Sequence, residues 1–197
     1  IYNNITELVG NTPILKIEKI LPESLSPLYI KLEYFNPSKS VKDRAALNMI
    51  TTAEEQGILK PGSTIIEATS GNTGIALATI AAAKHYRLIL VIPDTMSIDK
   101  INYVKALGAK VILTEGVFGM KKAFIKAAEL KQEYPDAFIP SQITNPANPQ
   151  IHEKTTALEI WNDLDGKIDY FVAGCGTGGT ICGTGKKLKE LDPNIKV

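Results

Sequence analysis

The sequence predicts an α/β fold with mainly parallel sheets, and three observations carry that prediction. Short apolar strands alternate with helical patterns along most of the 197 residues, which is typical of parallel sheets joined by right-handed crossovers. Glycine and proline punctuate the turns between these segments. Two of the predicted strands run into glycine-containing loops that precede helices, which is where α/β proteins bind ligands.

The individual elements follow from local patterns. Strands are predicted where apolar or alternating runs lie between turn residues, over residues 14–17, 28–34, 64–68, 88–92, 110–113, 138–139 and 169–173. Helices are predicted where apolar residues follow helical spacing, between Ser40 and Gly57, over residues 75–84, 97–107, 119–133 and 150–164, and after Thr180 to Leu191. Residues 194–197 read as the start of a further strand, so we expect the chain to be a fragment of a longer protein.

Composition limits the classes of function. The chain is 44% hydrophobic with a formal net charge of +1, which predicts neither nucleic-acid nor membrane-surface binding. No apolar run is long enough to cross a bilayer. The two cysteines, Cys175 and Cys182, match no metal spacing and no redox pair, which fits a reducing cytoplasmic compartment. His85 and His152 are far apart, so no metal site is expected.

Lys42 is predicted to lie in the first turn of a helix. Pro37 and Ser40 precede it, and Ser40 is a good N-cap. A cation at this position faces the positive end of the helix dipole, which lowers its pKa. Such a lysine is a candidate imine-forming amine. On this stretch alone, an ordinary solvated lysine is the simpler interpretation.

A glycine-rich loop, the 174–180 loop, follows the last predicted strand. Its glycines let backbone N–H groups approach an anion, the helix behind it favours negative charge, and Thr177 and Thr180 add hydroxyl donors. We interpret it as a phosphate cradle, although it lacks the lysine of a P-loop. The loop also matches G-x-G-x-x-G at Gly174, Gly176 and Gly179, so an NAD-binding domain stays open as an alternative.

A second loop, the 69–74 loop, reads Thr-Ser-Gly-Asn-Thr-Gly and also lies between a strand and a helix. Its hydroxyls, amide and backbone N–H groups suit a carboxylate, and the same residues suit a well-capped helix start. Together, a lysine, a phosphate cradle and a carboxylate cradle indicate pyridoxal phosphate acting on an amino acid. That cofactor needs an amine for its aldehyde and an anion site for its phosphate.

Several motifs in this order resemble the cysteine synthase (O-acetylserine sulfhydrylase) and cystathionine β-synthase family of fold-type II pyridoxal phosphate enzymes. They are residues 10–13, 36–37 with 40–44, 69–74, 106–109, 145–149, 152–156 and 176–180. The resemblance implies two three-layer α/β domains of the tryptophan synthase β-like type. Residues 46–150 would form the smaller domain, and residues 1–45 and 151–197 would belong to the larger one, whose C-terminal part is absent.

The resemblance also implies roles for individual residues. Lys42 would hold the cofactor covalently and act as general base on the substrate α-proton. Asn72 would hydrogen-bond the phenolic oxygen of the cofactor. The cofactor phosphate would be bound by Gly176, Thr177, Gly178, Gly179 and Thr180. The substrate carboxylate would be bound by Thr69, Ser70, Asn72, Thr73 and Gln142.

The reaction implied by the resemblance is replacement at Cβ of an amino acid. O-acetyl-L-serine would lose acetate to give an aminoacrylate, and sulfide would add to form L-cysteine. Cystathionine β-synthase and cysteine desulfhydrase activities stay open within the same fold, as does a non-catalytic regulatory binding protein of another class. The family further implies a homodimer, and some members bind the C-terminal tail of serine acetyltransferase.

Overall fold

The computed structural model describes residues 1–18, 22 and 27–197. The strands are β1 (Ile14–Ile17), β2 (Leu28–Lys31), β3 (Thr64–Ala68), β4 (Arg87–Pro93) and β5 (Lys110–Thr114). The α-helices are α1 (Lys42–Glu55), α2 (Asn72–Ala83), α3 (Ile98–Ala106), α4 (Gly119–Glu133), α5 (Ala147–Ile151), α6 (Ala157–Asp163) and α7 (Gly179–Leu191). A π-helical turn, His152–Thr156, joins α5 to α6, and 3₁₀ turns cover Ile5–Leu8, Glu33–Phe35 and Gly116–Phe118.

A parallel sheet in the order β3-β4-β5 forms the centre of three layers. Alternate residues of each strand point to opposite faces. Ile65 and Leu90 pack in one apolar cluster with α1, α2 and α3, whereas Ile66 and Val91 pack in another with α4. Helices therefore cover both faces of the sheet, as expected for parallel strands.

The residues at positions 138 and 139 extend this sheet only slightly. Phe138 lies parallel to β3, donating its N–H to Thr64 O at 2.8 Å and accepting from Ile66 N at 2.9 Å. The N-terminal strands β1 and β2 instead pair antiparallel with each other, with Ile14 opposite Lys31.

Three predicted elements have different bounds in the structure. Helix α2 begins at Asn72 rather than residue 75, because polar residues are tolerated in a first turn whose N–H groups need no helical acceptor. The predicted strand 28–34 ends at Lys31, and a 3₁₀ turn follows. The predicted helix 150–164 begins at Ala147, and the π-helical turn interrupts it.

The predicted strand 169–173 is wrong as an extended element. Within the described part of the chain, only Lys196 offers it a parallel neighbour. Phe171 N donates to Lys196 O at 2.8 Å and Lys196 N donates to Asp169 O at 2.9 Å, which makes a single bridge. The predicted domain boundaries at residues 46 and 150 stay a prediction.

Helices α1, α2, α5 and α7 form one connected set of packed helices. Helix α1 packs against α2 and α5, and α5 packs against α7. Asn48 of α1 fixes this arrangement by donating its side-chain amide to Ala147 O at 2.7 Å. Among the described residues, no helix has the length and apolar character needed to cross a bilayer.

Candidate active site

The loop before α1 is tied down so that Lys42 is its first helical residue. The predicted N-cap Ser40 is wrong by one residue, because Val41 occupies that position, but Lys42 N still donates to the Ser40 hydroxyl at 3.3 Å. The buried carboxylate of Asp43 accepts hydrogen bonds from Ser38 N at 2.6 Å and from the Ser38 hydroxyl. Backbone and side-chain contacts within six residues therefore fix where the Lys42 side chain starts.

The Lys42 amine is half-buried and stands apart from acids. In the described residues, no carboxylate oxygen lies within 4.0 Å of its Nζ. Burial lowers the pKa of Lys42 below its ordinary value. The sequence predicts a lowered pKa from the helix dipole, whereas in the structure the main cause is burial of the amine. A less basic amine is a better nucleophile at neutral pH.

Two residues further on, Arg44 is the centre of a buried charge cluster with Glu33 and Glu159. Arg44 is 1% exposed, and its guanidinium lies 2.8 Å from Glu33 Oε2 and 2.6 Å from Glu159 Oε1. Thr12 joins the cluster by donating to Glu33 Oε1 at 2.6 Å. Lys31 lies 2.9 Å from Glu159 Oε2. The cluster ties the N-terminal segment, α1 and α6 to one another.

The charge cluster keeps its acids ionised. Burial by itself raises the pKa of Glu159, but hydrogen bonds from Arg44 and Lys31 reverse this and lower it to about 2. Hydrogen bonds from Arg44 likewise overcome the burial of Glu33 and lower its pKa. The cluster is thus a permanent set of charges close to neutral pH, suited to holding α1 in place.

The start of α2 is joined to Gln142 by a direct side-chain contact. The Thr73 hydroxyl donates to Gln142 Oε1 at 2.5 Å. Because the amide oxygen is engaged in this way, the Gln142 amide NH₂ is left to donate to a ligand. Thr69 is buried at the end of β3, whereas Ser70 and Asn72 are exposed beside it. Four of the five residues that the resemblance implies for a carboxylate are thus neighbours in sequence, and the fifth touches them.

Glu67 is a functional candidate that the sequence reasoning missed. Its carboxylate is 2% exposed and accepts hydrogen bonds from Ser141 N at 3.0 Å and Gln142 N at 3.3 Å. Ser141 has φ +51°, a left-handed conformation uncommon for a residue with a side chain. Burial raises the pKa of Glu67 to about 7, partly offset by the two hydrogen bonds. A lone acid in the apolar run 64–68 was the available signal.

The 174–180 loop presents unpaired donors ahead of α7. In the described part of the chain, the backbone N–H groups of Gly176, Thr177 and Gly178 have no protein acceptor. Gly178 has φ +83°, which turns the backbone into the helix, and α7 adds its own free N–H groups and positive dipole end. The Thr180 hydroxyl lies 3.4 Å from Nε2 of buried His152.

A buried amide connects the two loops. Asn148, the second residue of α5, donates from Nδ2 to Gln142 O at 2.8 Å and to Thr177 Oγ1 at 2.9 Å. The structure therefore brings Thr73, Gln142 and Thr177 into one hydrogen-bonded path. Helix α1, which begins at Lys42, packs Ala45 and Met49 on Ala147 of α5, the helix that carries Asn148.

These residues fit pyridoxal phosphate on structural grounds. Within the residues that the structure describes, the half-buried Lys42 amine has no carboxylate partner, which suits the aldehyde, and backbone N–H groups at the start of α7 have no acceptor, which suits the phosphate. A Cβ built on Gly174 or Gly176 would meet no atom within 4 Å, so the loop has open space in front of it.

The chain belongs to the pyridoxal-phosphate dependent enzyme family, whose family model matches residues 5–197. This confirms the predicted family and cofactor, and it favours them over the NAD-binding alternative. The fold class is confirmed as well, because solved structures of the family superpose closely on the whole chain.

Among its relatives, the chain is 54% identical over 200 residues to a probable cysteine synthase of Bacillus subtilis, covering 100% of this chain and 64% of that protein. A hydrogen sulfide-producing enzyme from Fusobacterium nucleatum superposes with a TM-score of 0.95 at 50% identity, covering 100% of this chain and 64% of that one. Cysteine synthase from Entamoeba histolytica gives a TM-score of 0.95 at 44% identity, covering 100% and 60%. The chain thus spans less than two thirds of these relatives.

Proposed function

We propose that the chain carries the cofactor- and carboxylate-binding part of a pyridoxal phosphate enzyme that replaces the β-substituent of an amino acid. The reaction we propose is O-acetyl-L-serine plus sulfide giving L-cysteine plus acetate. The 54% identity to a probable cysteine synthase over the whole chain supports this reaction class.

The observation that carries the proposal is the contact between Thr73 and Gln142. It joins a helix start to a residue 69 positions away at 2.5 Å, and it engages the Gln142 amide oxygen, so that the amide NH₂ is left to donate to a ligand. In this proposal the carboxylate would be bound by the three hydroxyl-bearing residues of the 69–74 loop, the Gln142 amide and the free N–H groups at the start of α2. An amino-acid substrate supplies that group.

In this proposal, Lys42 would hold the cofactor and then move the substrate α-proton. Its lowered pKa leaves a larger neutral fraction to accept that proton, as a general base requires. Asn72 would contact the cofactor ring from the start of α2, and residues 176–180 would bind its phosphate. Thr69, Ser70, Asn72, Thr73 and Gln142 would orient the substrate carboxylate. Pyridoxal phosphate, when bound, supplies the electron sink that makes the α-proton acidic.

The test combines product formation with chemical location of the cofactor. The protein supplied with pyridoxal phosphate, O-acetylserine and sulfide is expected to release cysteine, and Lys42→Ala should lower the rate by about 100-fold or more. Borohydride reduction followed by mass spectrometry should place a phosphopyridoxyl group on Lys42. Lys39→Asn is the matched control, because Lys39 is exposed and its φ of +67° suits asparagine. Cysteine formation that survives Lys42→Ala would overturn the proposal.

A second candidate is β-elimination that releases sulfide from cysteine. The hydrogen sulfide-producing enzyme of Fusobacterium nucleatum, with a TM-score of 0.95, favours it. Both reactions need the same amine and carboxylate site and differ in the group that leaves. Supplying cysteine alone and measuring sulfide and pyruvate separates them, because a replacement enzyme needs a second nucleophile to turn over.

We further propose that the protein acts in the cytoplasm as a homodimer, which its family membership supports. Light scattering after gel filtration tests the oligomeric state. A peptide with the sequence of a serine acetyltransferase C-terminal tail tests the proposed partner, since it should compete with O-acetylserine for the site.

A further inference from the structure

The segment Asn145–Pro149 is one of the motifs that resemble the family, but none of its residues has a role in the proposed reaction. One of its side chains contacts both halves of the proposed site. Asn148 is buried, and each of its two Nδ2 hydrogens has an acceptor. One bond runs to Gln142 O at 2.8 Å, on the proposed carboxylate side. The other runs to Thr177 Oγ1 at 2.9 Å, inside the 174–180 loop. A single amide therefore contacts the residues proposed for substrate and for cofactor.

The fit around Asn148 is close on its oxygen side as well. A Cβ built on Gly179 would lie 2.1 Å from Asn148 Oδ1, so only glycine permits the first residue of α7 to approach this amide. The side chain is thereby confined between the Gln142 segment and the start of α7. A confined amide cannot shift at one contact without disturbing the other.

Gln142 makes two other hydrogen bonds, and these differ from the bond with Asn148 in what they connect. Glu67 accepts from Gln142 N at 3.3 Å, and Thr73 donates to Gln142 Oε1 at 2.5 Å. Neither of these bonds involves the 174–180 loop. The Asn148 amide, in contrast, bonds both Gln142 and Thr177 of that loop. A displacement at one of the two anion sites can therefore be transmitted to the other.

We propose that Asn148 is a positioning residue that couples the 174–180 loop to the amino-acid carboxylate site. This role rests on the proposed function and deepens it. Occupation of the loop by a phosphate would hold Thr177, Thr177 would hold the Asn148 amide, and the amide would hold Gln142 in its donating position. Binding of phosphate and of carboxylate would then favour each other.

The primary test compares pyridoxal phosphate with pyridoxal, which lacks the phosphate. In Asn148→Ala, the dissociation constant for pyridoxal phosphate should rise about tenfold, as expected for one lost hydrogen bond, while that for pyridoxal stays within about twofold. Fluorescence titration of cofactor-free protein measures both constants. The KM for O-acetylserine should also rise about tenfold with kcat changed less than about threefold, because binding rather than proton transfer is affected.

Two further variants separate coupling from general loosening of the segment. Asn145→Ala is the matched control, because the Asn145 amide donates to Pro140 O at 2.8 Å and accepts from Ala147 N at 2.9 Å without touching either loop. Both ligand affinities should stay within about twofold in that control. Glu67→Gln should raise the KM for O-acetylserine and leave the affinity for pyridoxal phosphate unchanged, since its contacts lie on the carboxylate side alone.

Asn148→Asp keeps the shape of the side chain and removes both donors, so it serves if the alanine variant unfolds. It should weaken pyridoxal phosphate at least as much as alanine does, because it adds a negative charge near the phosphate. Equal loss of pyridoxal and pyridoxal phosphate, or a change in KM alone, would overturn the coupling. A wild-type protein that binds pyridoxal phosphate but forms no cysteine refutes the proposed reaction, and the pair of cofactor affinities still decides the role of Asn148.

Discussion

Lys42 and Arg44 lie two residues apart on α1 and show two opposite uses of a cation. Arg44 is 1% exposed and satisfied by carboxylates from two other elements, whereas Lys42 is half-buried with no carboxylate within 4.0 Å in the described residues. Pairing makes Arg44 a fixed structural charge, whereas burial lowers the pKa of the Lys42 amine. The difference indicates that Arg44 fixes α1 in place, and it leaves Lys42 available for the role proposed for it.

The largest expected change in stability comes from replacing Arg44, the paired cation of the comparison. Arg44→Met removes the buried guanidinium and leaves the half-buried carboxylates of Glu33 and Glu159 without it, which should cost about 3–5 kcal/mol of unfolding free energy. Urea unfolding followed by circular dichroism measures the loss. Lys84→Met is the control, because it breaks the more exposed pair with Glu54 at 2.8 Å and should cost less than about 1 kcal/mol. Equal losses in the two variants would contradict a structural role for the cluster.

Glu67 extends the comparison to a buried acid that lacks a cation. Its pKa rises from an ordinary 4.5 to about 7, so between these values the folded state binds more protons than the unfolded state. The unfolding free energy should therefore fall as pH rises through this window, by about 3 kcal/mol from this group alone. Glu67→Gln removes the contribution, and unfolding curves at several pH values for both proteins measure it. Parallel pH dependences would show that Glu67 is not the titrating group.

Close helix packing offers a third, smaller test. A Cβ at position 183 would lie 2.1 Å from Pro149 O, so Gly183→Ala must separate α7 from α5 and should cost about 1–3 kcal/mol despite the better helix propensity of alanine. Gly174→Ala is the control, since a Cβ there meets nothing within 4 Å, and its effect should stay within about 0.5 kcal/mol. Thermal unfolding compares the two. A stable Gly183→Ala protein would mean that the α5–α7 contact can relax.

The smallest expected change in stability comes from replacing Lys42, the unpaired cation of the comparison. Lys42→Ala removes an unpaired, partly buried cation from the positive end of a helix dipole, so stability should stay constant or rise by less than about 1 kcal/mol. Thermal unfolding without cofactor provides the measurement. A loss as large as that of Arg44→Met would mean that Lys42 supports the fold and that the contrast between the two cations is mistaken.

Local signals predicted most elements correctly. The strand at residues 64–68, the helix stop at Gly57 and the turn at Gly108 were all predictable, because apolar runs and glycines act over a few residues. The helix start at Asn72 was missed, since a polar first turn looks like a loop in sequence. The extended strand at 169–173 failed because strand formation depends on a partner elsewhere in the chain.

The candidate site was less predictable than the fold. Sequence reasoning identified Lys42 and both loops, and the assignment of Gln142 came from family resemblance. Glu159, one partner of Arg44, lies 115 positions away, and Ser141, one partner of Glu67, lies 74 positions away, so no local pattern connects these pairs. The role of Asn148 likewise depends on two contacts, at separations of 6 and 29 residues, that only the folded chain brings together.

The π-helical turn His152–Thr156 determines how far α6 is rotated about the helix axis relative to α5. Ala157 N bonds to His152 O, five residues back, so the turn holds one residue more than an α-helix would. Each residue advances a helix by about 100°, and the extra residue therefore rotates α6 by that amount relative to α5. Asn148 can then face the 174–180 loop while Glu159 faces Arg44. One added residue thus lets two consecutive helices direct their side chains toward two sites that lie in different directions.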